Sequence, residues 1–245
     1  MSGQYATDVN LRARIDLHQR FSTAKEDWHR WVFDRVAPPE GARILELGCG
    51  PAELWKRNLD RIDPTWQLTL SDLSPGMIEA AQQVLGDRAE YAVADSEELP
   101  FAGEQFDVVV ANHMLYHVAD RPRALAEIRR VLRPSGAFHA ATNGAGHLEE
   151  LAALFDASFR RHIEAFGLET GPPQLEPFFS DVRIERFEGE LVVTEVEPVV
   201  AYIRSSTVYD GRPLDDATRT VEAAITVDGA FRIATKAGLI SCRKP

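Results

Sequence analysis

Residues 44–55, ILELGCGPAELW, decide the fold class of this 245-residue chain. The mostly apolar run at residues 43–47 predicts a short buried strand, and Gly48, Cys49 and Gly50 follow it before a helix begins. Glycine has no Cβ, so a glycine turn lets backbone N–H groups come close to a ligand. A strand, a glycine turn and a helix in this order predict a ligand site at the carboxyl end of the strand.

Strand-like and helix-like segments alternate along the next part of the chain. The predicted strands cover residues 66–70, 91–94, 106–111 and 137–142, and a predicted helix covers residues 124–132. This alternation is typical of an α/β fold in which right-handed crossovers join parallel strands. We expect the strand FDVVVA, residues 106–111, to be central because it is apolar on both faces.

Charge and composition argue against several classes of partner. The formal net charge is −11, whereas binding to nucleic acid requires a basic surface. No apolar run approaches the roughly 18 residues that cross a bilayer, and the charged N-terminus is unlike a signal peptide. The two cysteines, Cys49 and Cys242, form no disulfide framework. We therefore expect a cytoplasmic protein without a nucleic acid or membrane partner, and the oligomeric state stays open.

The acidic residues around the glycine turn indicate the charge of the ligand. Asp72 lies 24 residues after Gly48, just beyond the second strand, where its carboxylate can accept hydrogen bonds from ribose hydroxyls. Glu46 and Glu53 flank the turn and would repel the pyrophosphate of a nicotinamide dinucleotide. The amino group and sulfonium of S-adenosylmethionine are cationic, so the electrostatics favour that cofactor over a dinucleotide.

Several motifs in the right order resemble the class I S-adenosylmethionine-dependent methyltransferases, in particular their ubiquinone-biosynthesis-like, small-molecule branch. The resemblance covers residues 42–142. It rests on Glu46, Gly48 and Gly50, on Asp72 followed by LSPGM, on Asp95-Ser96 in VADSEELPF, on FDVVVANHMLYHV, and on EIRRVLRPSGAF at residues 127–138. One departure is Ala52, at a position that is often glycine. A backbone φ above zero there would make alanine costly.

The resemblance implies a site for S-adenosylmethionine formed by Glu46, Gly48, Gly50, Asp72, Leu73, Met77, Asp95, Ser96 and Asn112. Glu46 and the glycine turn would hold the methionine part, and Asp72 the ribose. Leu73 and Met77 would flank the adenine, Asp95 would accept from its amino group, and the Ser96 backbone would donate to its ring. The carbonyl near Asn112 would hold the amino group of the cofactor.

Two simpler interpretations of these residues remain open. Leu73 and Met77 are apolar residues near the start of a helix and would serve equally as core. Asp95 and Ser96 would also suit the N-cap of a helix.

The family resemblance implies an α/β fold, a Rossmann-like class I methyltransferase sheet with an N-terminal helical cap and a C-terminal substrate-covering insertion. We expect a single domain with a cap at residues 1–37, a cofactor-binding core at 42–142, a substrate cover and sheet edge at 143–230 and terminal strands at 231–245. Residues 5–36 are predicted to be helical.

The cover is predicted from weaker patterns. They indicate a long amphipathic helix over residues 147–166, strands at 182–187 and 191–196, helices near 199–204 and 215–224, and a terminal strand pair around 231–242.

Two histidines follow the fourth strand, where an open α/β sheet holds its ligand. His113 and His117 are four residues apart and would share one face of a helical turn. An imidazole there is suited to take a proton from an oxygen or nitrogen acceptor, and we expect His117 to matter more than His113. Alternatively, both rings only shape the pocket. No third metal ligand is identifiable, so we expect no metal.

The sequence therefore predicts methyl transfer from S-adenosylmethionine to an oxygen, nitrogen or carbon of a small metabolite. A non-catalytic S-adenosylmethionine-binding protein is an alternative, because Asp72 and Asp95 fit either. A nicotinamide-dependent oxidoreductase is less well supported because Glu53 stands where a pyrophosphate would lie.

Overall fold

A computed structural model describes residues 8–154, 161–206, 211 and 213–245, and side chains from residue 13 onward except at 155–162, 207–210 and 212. Residues 1–7 of the predicted cap and residues 155–160 of the predicted long helix lie outside this part. The chain divides into two compact units. The larger unit comprises residues 26–145, 162–186 and 237–245, and the smaller unit comprises residues 1–25, 146–161 and 187–236. The predicted single-domain organisation stays a prediction.

The described residues form a mixed seven-stranded sheet with the order β3-β2-β1-β4-β5-β7-β6. Its strands are β1 Arg43–Leu47, β2 Gln67–Asp72, β3 Ala89–Val93, β4 Phe106–Asn112, β5 Leu132–Asn143, β6 Ser180–Val193 and β7 Phe231–Arg243. Strands β1 to β5 pair in parallel, and β7 pairs with β5 antiparallel. The predicted α/β class is confirmed.

The helices of the larger unit are α2 Trp28–Val36, α3 Glu53–Lys56, α4 Pro75–Leu85, α5 Arg121–Val131 and α8 Pro172–Leu175. Helices α1 Asp8–Phe21, α6 Glu149–Ala152, α9 Val196–Arg204 and α10 Asp215–Asp228 belong to the smaller unit, and α7 Arg161–Ala165 lies at the boundary. In the part of the chain that the structure describes, no helix has both the length and the apolar character that crossing a membrane requires.

Alternate residues of the central strands point to opposite faces of the sheet. One face packs into the core of the larger unit through side chains that include Leu45, Leu47, Val109, Ala111 and Phe138. Because Glu46 pairs with Leu70 and Val110 in register, Glu46 lies on the other face. Asp72 and Asn112, two residues beyond those partners, share that face at the carboxyl ends of β2 and β4.

Two helix predictions were wrong. The described part of the helical segment predicted over residues 5–36 contains two helices, because the Asp27 carboxylate accepts the backbone N–H groups of His29 and Arg30 and thereby begins α2. The long helix predicted over residues 147–166 does not begin at residue 147, because Leu148 has a left-handed backbone with φ 53°. The described part of that range contains only the short helices α6 and α7.

Two strand predictions were also wrong. The stretch 182–187 and residues 191–193 belong to the single strand β6, and residue 196 already begins α9. Half of the β6 residues are exposed at the edge of the sheet, so this strand needs no apolar alternation. The predicted terminal pair is the single strand β7. Its Gly238 resembles a turn residue, but a Cβ there would lie 2.3 Å from the carbonyl oxygen of Glu185. This glycine therefore permits close contact with the neighbouring strand and does not mark a chain reversal.

Candidate active site

The glycine turn after β1 brings two segments of the larger unit into close contact. Gly48 and Gly50 have φ of 62° and 54°, and the Cys49 N–H donates to the Ser71 carbonyl oxygen over 3.0 Å. A Cβ on Gly48 would lie 2.7 Å from Cβ of Met114. Glycine is therefore required at residue 48 for both its backbone conformation and its packing. Burial raises the pKa of the Cys49 thiol, which favours its neutral form.

Ala52 adopts a left-handed backbone conformation, which is the costly case for an alanine at this position. It precedes α3 with φ 59° and ψ 37°, and it is fully buried. The left-handed region costs a residue with a Cβ roughly 1–2 kcal/mol. The departure from the family pattern therefore carries a local energetic cost.

Glu46 is the most unusual ionisable residue of the site. Its side chain is only 1% exposed, and its Oε2 accepts a hydrogen bond of 2.6 Å from Nε1 of Trp55 on α3. Burial raises the pKa of Glu46, the hydrogen bond from Trp55 lowers it and the negative charge of Asp72 raises it, and together these effects bring the pKa to about 8. The Glu46 carboxyl is therefore mostly protonated at neutral pH.

Asp72 joins the ends of β1 and β2 through its carboxylate. Oδ2 accepts the Gly50 N–H over 3.0 Å, and Oδ1 accepts the Ser74 N–H over 2.8 Å. Each oxygen has a further lone pair for another donor. Leu73, the next residue, is 40% exposed, so the interpretation of Leu73 as core is wrong, whereas Met77 is half-buried.

Asp95 and Ser96 follow β3 in a turn. Asp95 and Glu98 form an isolated bridge, and Asp95 Oδ1 accepts the Glu97 N–H over 2.9 Å. No helix begins among residues 95–98, so the N-cap interpretation is wrong. Asp95 is exposed, Ser96 is half-buried and the neighbouring Val93 is 52% exposed. This turn presents an acidic and an apolar side chain together.

Asn112 ends β4 with an unsatisfied polar atom. Among the described residues, its side-chain Oδ1 is one of the buried atoms that have no hydrogen-bond partner. Leaving a buried acceptor unsatisfied costs roughly 1–3 kcal/mol. Because Asn112 shares a sheet face with Glu46 and Asp72, a ligand that donates a hydrogen bond at the strand ends would remove this cost.

The two histidines do not share a helical face, because His113 has a left-handed backbone with φ 55°. Its N–H donates to the Ala141 carbonyl oxygen over 3.0 Å, and its half-buried ring lies 5.2 Å from the ring of Trp28. His117 ends a short 3₁₀ turn, is exposed, and lies 4.5 Å from the Tyr116 ring. The two rings therefore occupy different environments.

All of the predicted site residues belong to the larger unit. Sequence reasoning missed Trp55, whose signal was available because a buried indole N–H near a buried carboxyl needs an acceptor. It also missed the contact of Trp28 with His113, which sequence spacing does not indicate. In the described ranges, no group of three or more His, Cys, Asp or Glu side chains could hold a metal ion.

Residues 45–140 match the family model described as a methyltransferase domain. Over this part of its length, the chain is similar to known methyltransferases. It is 32% identical over 114 residues to the ubiquinone/menaquinone biosynthesis C-methyltransferase UbiE of Hahella chejuensis, covering 44% of this chain and 46% of the relative. It is 40% identical over 121 residues to a malonyl-[acyl-carrier protein] O-methyltransferase of Geobacter sulfurreducens, covering 49% of this chain and 45% of that relative. The chain spans about half the length of the curated relatives that it matches.

Solved structures of other proteins share the fold. The Haemonchus contortus phosphoethanolamine N-methyltransferase 2, in complex with phosphomonomethylethanolamine and S-adenosylhomocysteine, is 20% identical with a TM-score of 0.62, covering 98% of this chain and 58% of that one. The YcgJ protein of Bacillus subtilis is 18% identical with a TM-score of 0.61, covering 88% of this chain and 97% of that one.

Proposed function

We propose that this protein is a methyltransferase that binds S-adenosylmethionine at the carboxyl ends of β1, β2 and β4 and transfers its methyl group to a small-molecule acceptor. One observation supports this most strongly. Glu46, Asp72 and the unsatisfied Oδ1 of Asn112 lie on one sheet face beside a close glycine turn. This arrangement offers acceptors and negative charge, and therefore suits a ligand that is cationic and rich in hydrogen-bond donors.

The residues fit the parts of that cofactor. Asp72 keeps a lone pair on each oxygen for the ribose hydroxyls after accepting from Gly50 and Ser74. The exposed Leu73 and the half-buried Met77 would flank the adenine, with Asp95 and the Ser96 backbone at its polar edge. The methionine part would lie against Glu46, Gly48, Gly50 and Asn112.

When bound, S-adenosylmethionine supplies a methyl carbon that is activated by the adjacent sulfonium. The residues of the chain would orient the cofactor, and the contact between the rings of Trp28 and His113 places apolar surface near the end of β4, where it would limit the access of water. His113 and His117 are proposed to take a proton from the acceptor. The half-burial of His113 supports a larger role for this ring than for the exposed His117, which reverses the order expected from sequence.

The acceptor is proposed to be a small metabolite, with the atom that is methylated (oxygen, nitrogen or carbon) left open. The name of one group of relatives, which refers to ubiquinone and menaquinone biosynthesis, supports this class. The net charge of −11 supports the absence of a nucleic acid partner. A cytoplasmic location and the absence of a membrane partner are part of the same proposal.

A labelled-methyl assay tests this function. The purified protein is incubated with S-adenosylmethionine labelled in the methyl group, together with either the low-mass or the macromolecular fraction of a cell extract. We expect label in low-mass products, which heat-denatured protein does not produce. Label that enters only macromolecules contradicts the small-molecule acceptor, and cofactor binding without transfer in either fraction indicates a non-catalytic binding protein.

A further inference from the structure

Glu46 is a buried carboxyl without a cation to neutralise it. Within the part of the chain that the structure describes, no ion pair reaches Glu46, and its side-chain hydrogen bond comes from the neutral indole of Trp55. The two cations of the neighbouring segment, Lys56 and Arg57, pair instead with Glu53 at 2.8 and 3.4 Å. A buried carboxylate without a counter-ion is costly, so the group favours its neutral form.

The groups that face Glu46 reinforce this preference. Asp72 at the end of β2 carries a negative charge that raises the pKa of Glu46. The register partners of Glu46, Leu70 on β2 and Val110 on β4, are buried and apolar. Cys49 in the glycine turn is neutral because burial raises its pKa. Among the described groups, the Trp55 hydrogen bond is the one that favours the carboxylate; burial outweighs it, and the pKa of Glu46 is about 8.

We propose that Glu46 selects a positively charged ligand by losing its proton to solvent when such a ligand binds. The inference rests on the proposed function, because the cofactor is the cation that the site lacks. A cation close to a buried carboxyl stabilises the carboxylate, whereas an uncharged ligand adds burial and keeps the proton in place. Binding of a charged ligand is therefore coupled to proton release, and its dissociation to proton uptake.

Calorimetry at pH 6.5 in two buffers of different ionisation enthalpy counts these protons. The probes are S-adenosylmethionine, S-adenosylhomocysteine and methylthioadenosine, the last of which has neither a sulfonium nor an amino-acid part. A free α-amino group has a pKa of roughly 7.7–8.0, so it is already charged at this pH. We expect release of about one proton with each charged probe and none with methylthioadenosine.

Glu46→Gln is the matched variant, because its amide oxygen can still accept from Trp55. It should abolish the proton release for both charged probes. Equal release with the neutral probe, no release in the wild type, or unchanged release in Glu46→Gln overturns the inference. If none of the three probes binds the wild type, the proposed function itself fails, and the inference fails with it.

A second measurement needs no substitution of Glu46. The indole N–H resonance of Trp55 reports the ionisation of the carboxyl that it contacts, and the indole of Trp66, which donates to the Pro39 carbonyl oxygen over 2.9 Å, is the internal control. In the free protein the Trp55 resonance should titrate, and S-adenosylmethionine should lower its midpoint by at least about one pH unit, a tenfold change in proton affinity. The Trp66 resonance should not titrate. An unchanged Trp55 midpoint overturns the inference.

Discussion

The indole nitrogen of Trp55 donates to Oε2 of Glu46 over 2.6 Å in the buried part of the larger unit. These residues are nine positions apart and lie on either side of the glycine turn, on α3 and β1. The hydrogen bond therefore joins the strand that carries the turn to the helix that follows it. It also holds a carboxyl in an environment where the neutral form is favoured.

We predict that Glu46→Gln changes how stability depends on pH. Burial raises the pKa of Glu46 from 4.5 to about 8, so between these values the folded state binds more protons than the unfolded state. The free energy of unfolding of the wild type should fall as pH rises through this window. Thermal unfolding without ligand should show the advantage of Glu46→Gln over the wild type growing from pH 5 to pH 9. Parallel curves would contradict a buried, neutral Glu46.

We predict that Ala52→Gly stabilises the protein by about 1 kcal/mol, because glycine has no Cβ penalty at φ 59°. The gain is smaller than the full penalty, since glycine also makes the unfolded chain more flexible. Urea unfolding measures the effect. Ala81→Gly, at a buried position inside helix α4, is the matched control and should destabilise instead. A loss of stability in both variants would count against the left-handed geometry of Ala52.

We predict that His113→Ala lowers kcat more than His117→Ala does, and that both variants keep nearly unchanged affinity for S-adenosylhomocysteine. The reason is the half-buried position of His113 beside Trp28, compared with the exposed ring of His117. Steady-state kinetics with an acceptor from the labelled-methyl assay gives kcat, and calorimetry gives affinity. A larger loss in His117→Ala would restore the order expected from sequence, and loss of affinity would place the histidine in the cofactor site.

The sequence predicts strands β1 to β5 well because the sequence signals for these strands are local. The apolar strand that includes Val108–Ala111 needs burial on both faces, and the glycine turn at Gly48 needs a backbone that few residues adopt. Each signal lies within a few residues of the feature that it predicts. Strands β1 to β5 therefore occur at or near their predicted positions.

The remaining features depend on contacts between residues distant in sequence. In the sequence Gly238 resembles a turn residue, and only the structure shows its close contact with the Glu185 carbonyl oxygen. The left-handed backbone of Leu148 has no local sequence signal. In the site, the unsatisfied Oδ1 of Asn112 becomes apparent only when its neighbours are known. Tertiary packing determines all three features, so local patterns could not reveal them.

The cofactor site is tested most directly by calorimetric titration of S-adenosylhomocysteine into the wild type, Asp72→Ala and Asp63→Ala. Asp63 is the matched control, because its carboxylate also accepts a backbone N–H two residues ahead, from Thr65 over 2.8 Å, in an exposed turn. We predict binding to the wild type and unchanged binding to Asp63→Ala. Binding to Asp72→Ala should be at least about tenfold weaker, because charge-assisted hydrogen bonds contribute roughly 1.5–3 kcal/mol each. Absence of binding to the wild type, or wild-type affinity in a folded Asp72→Ala variant, would contradict the account.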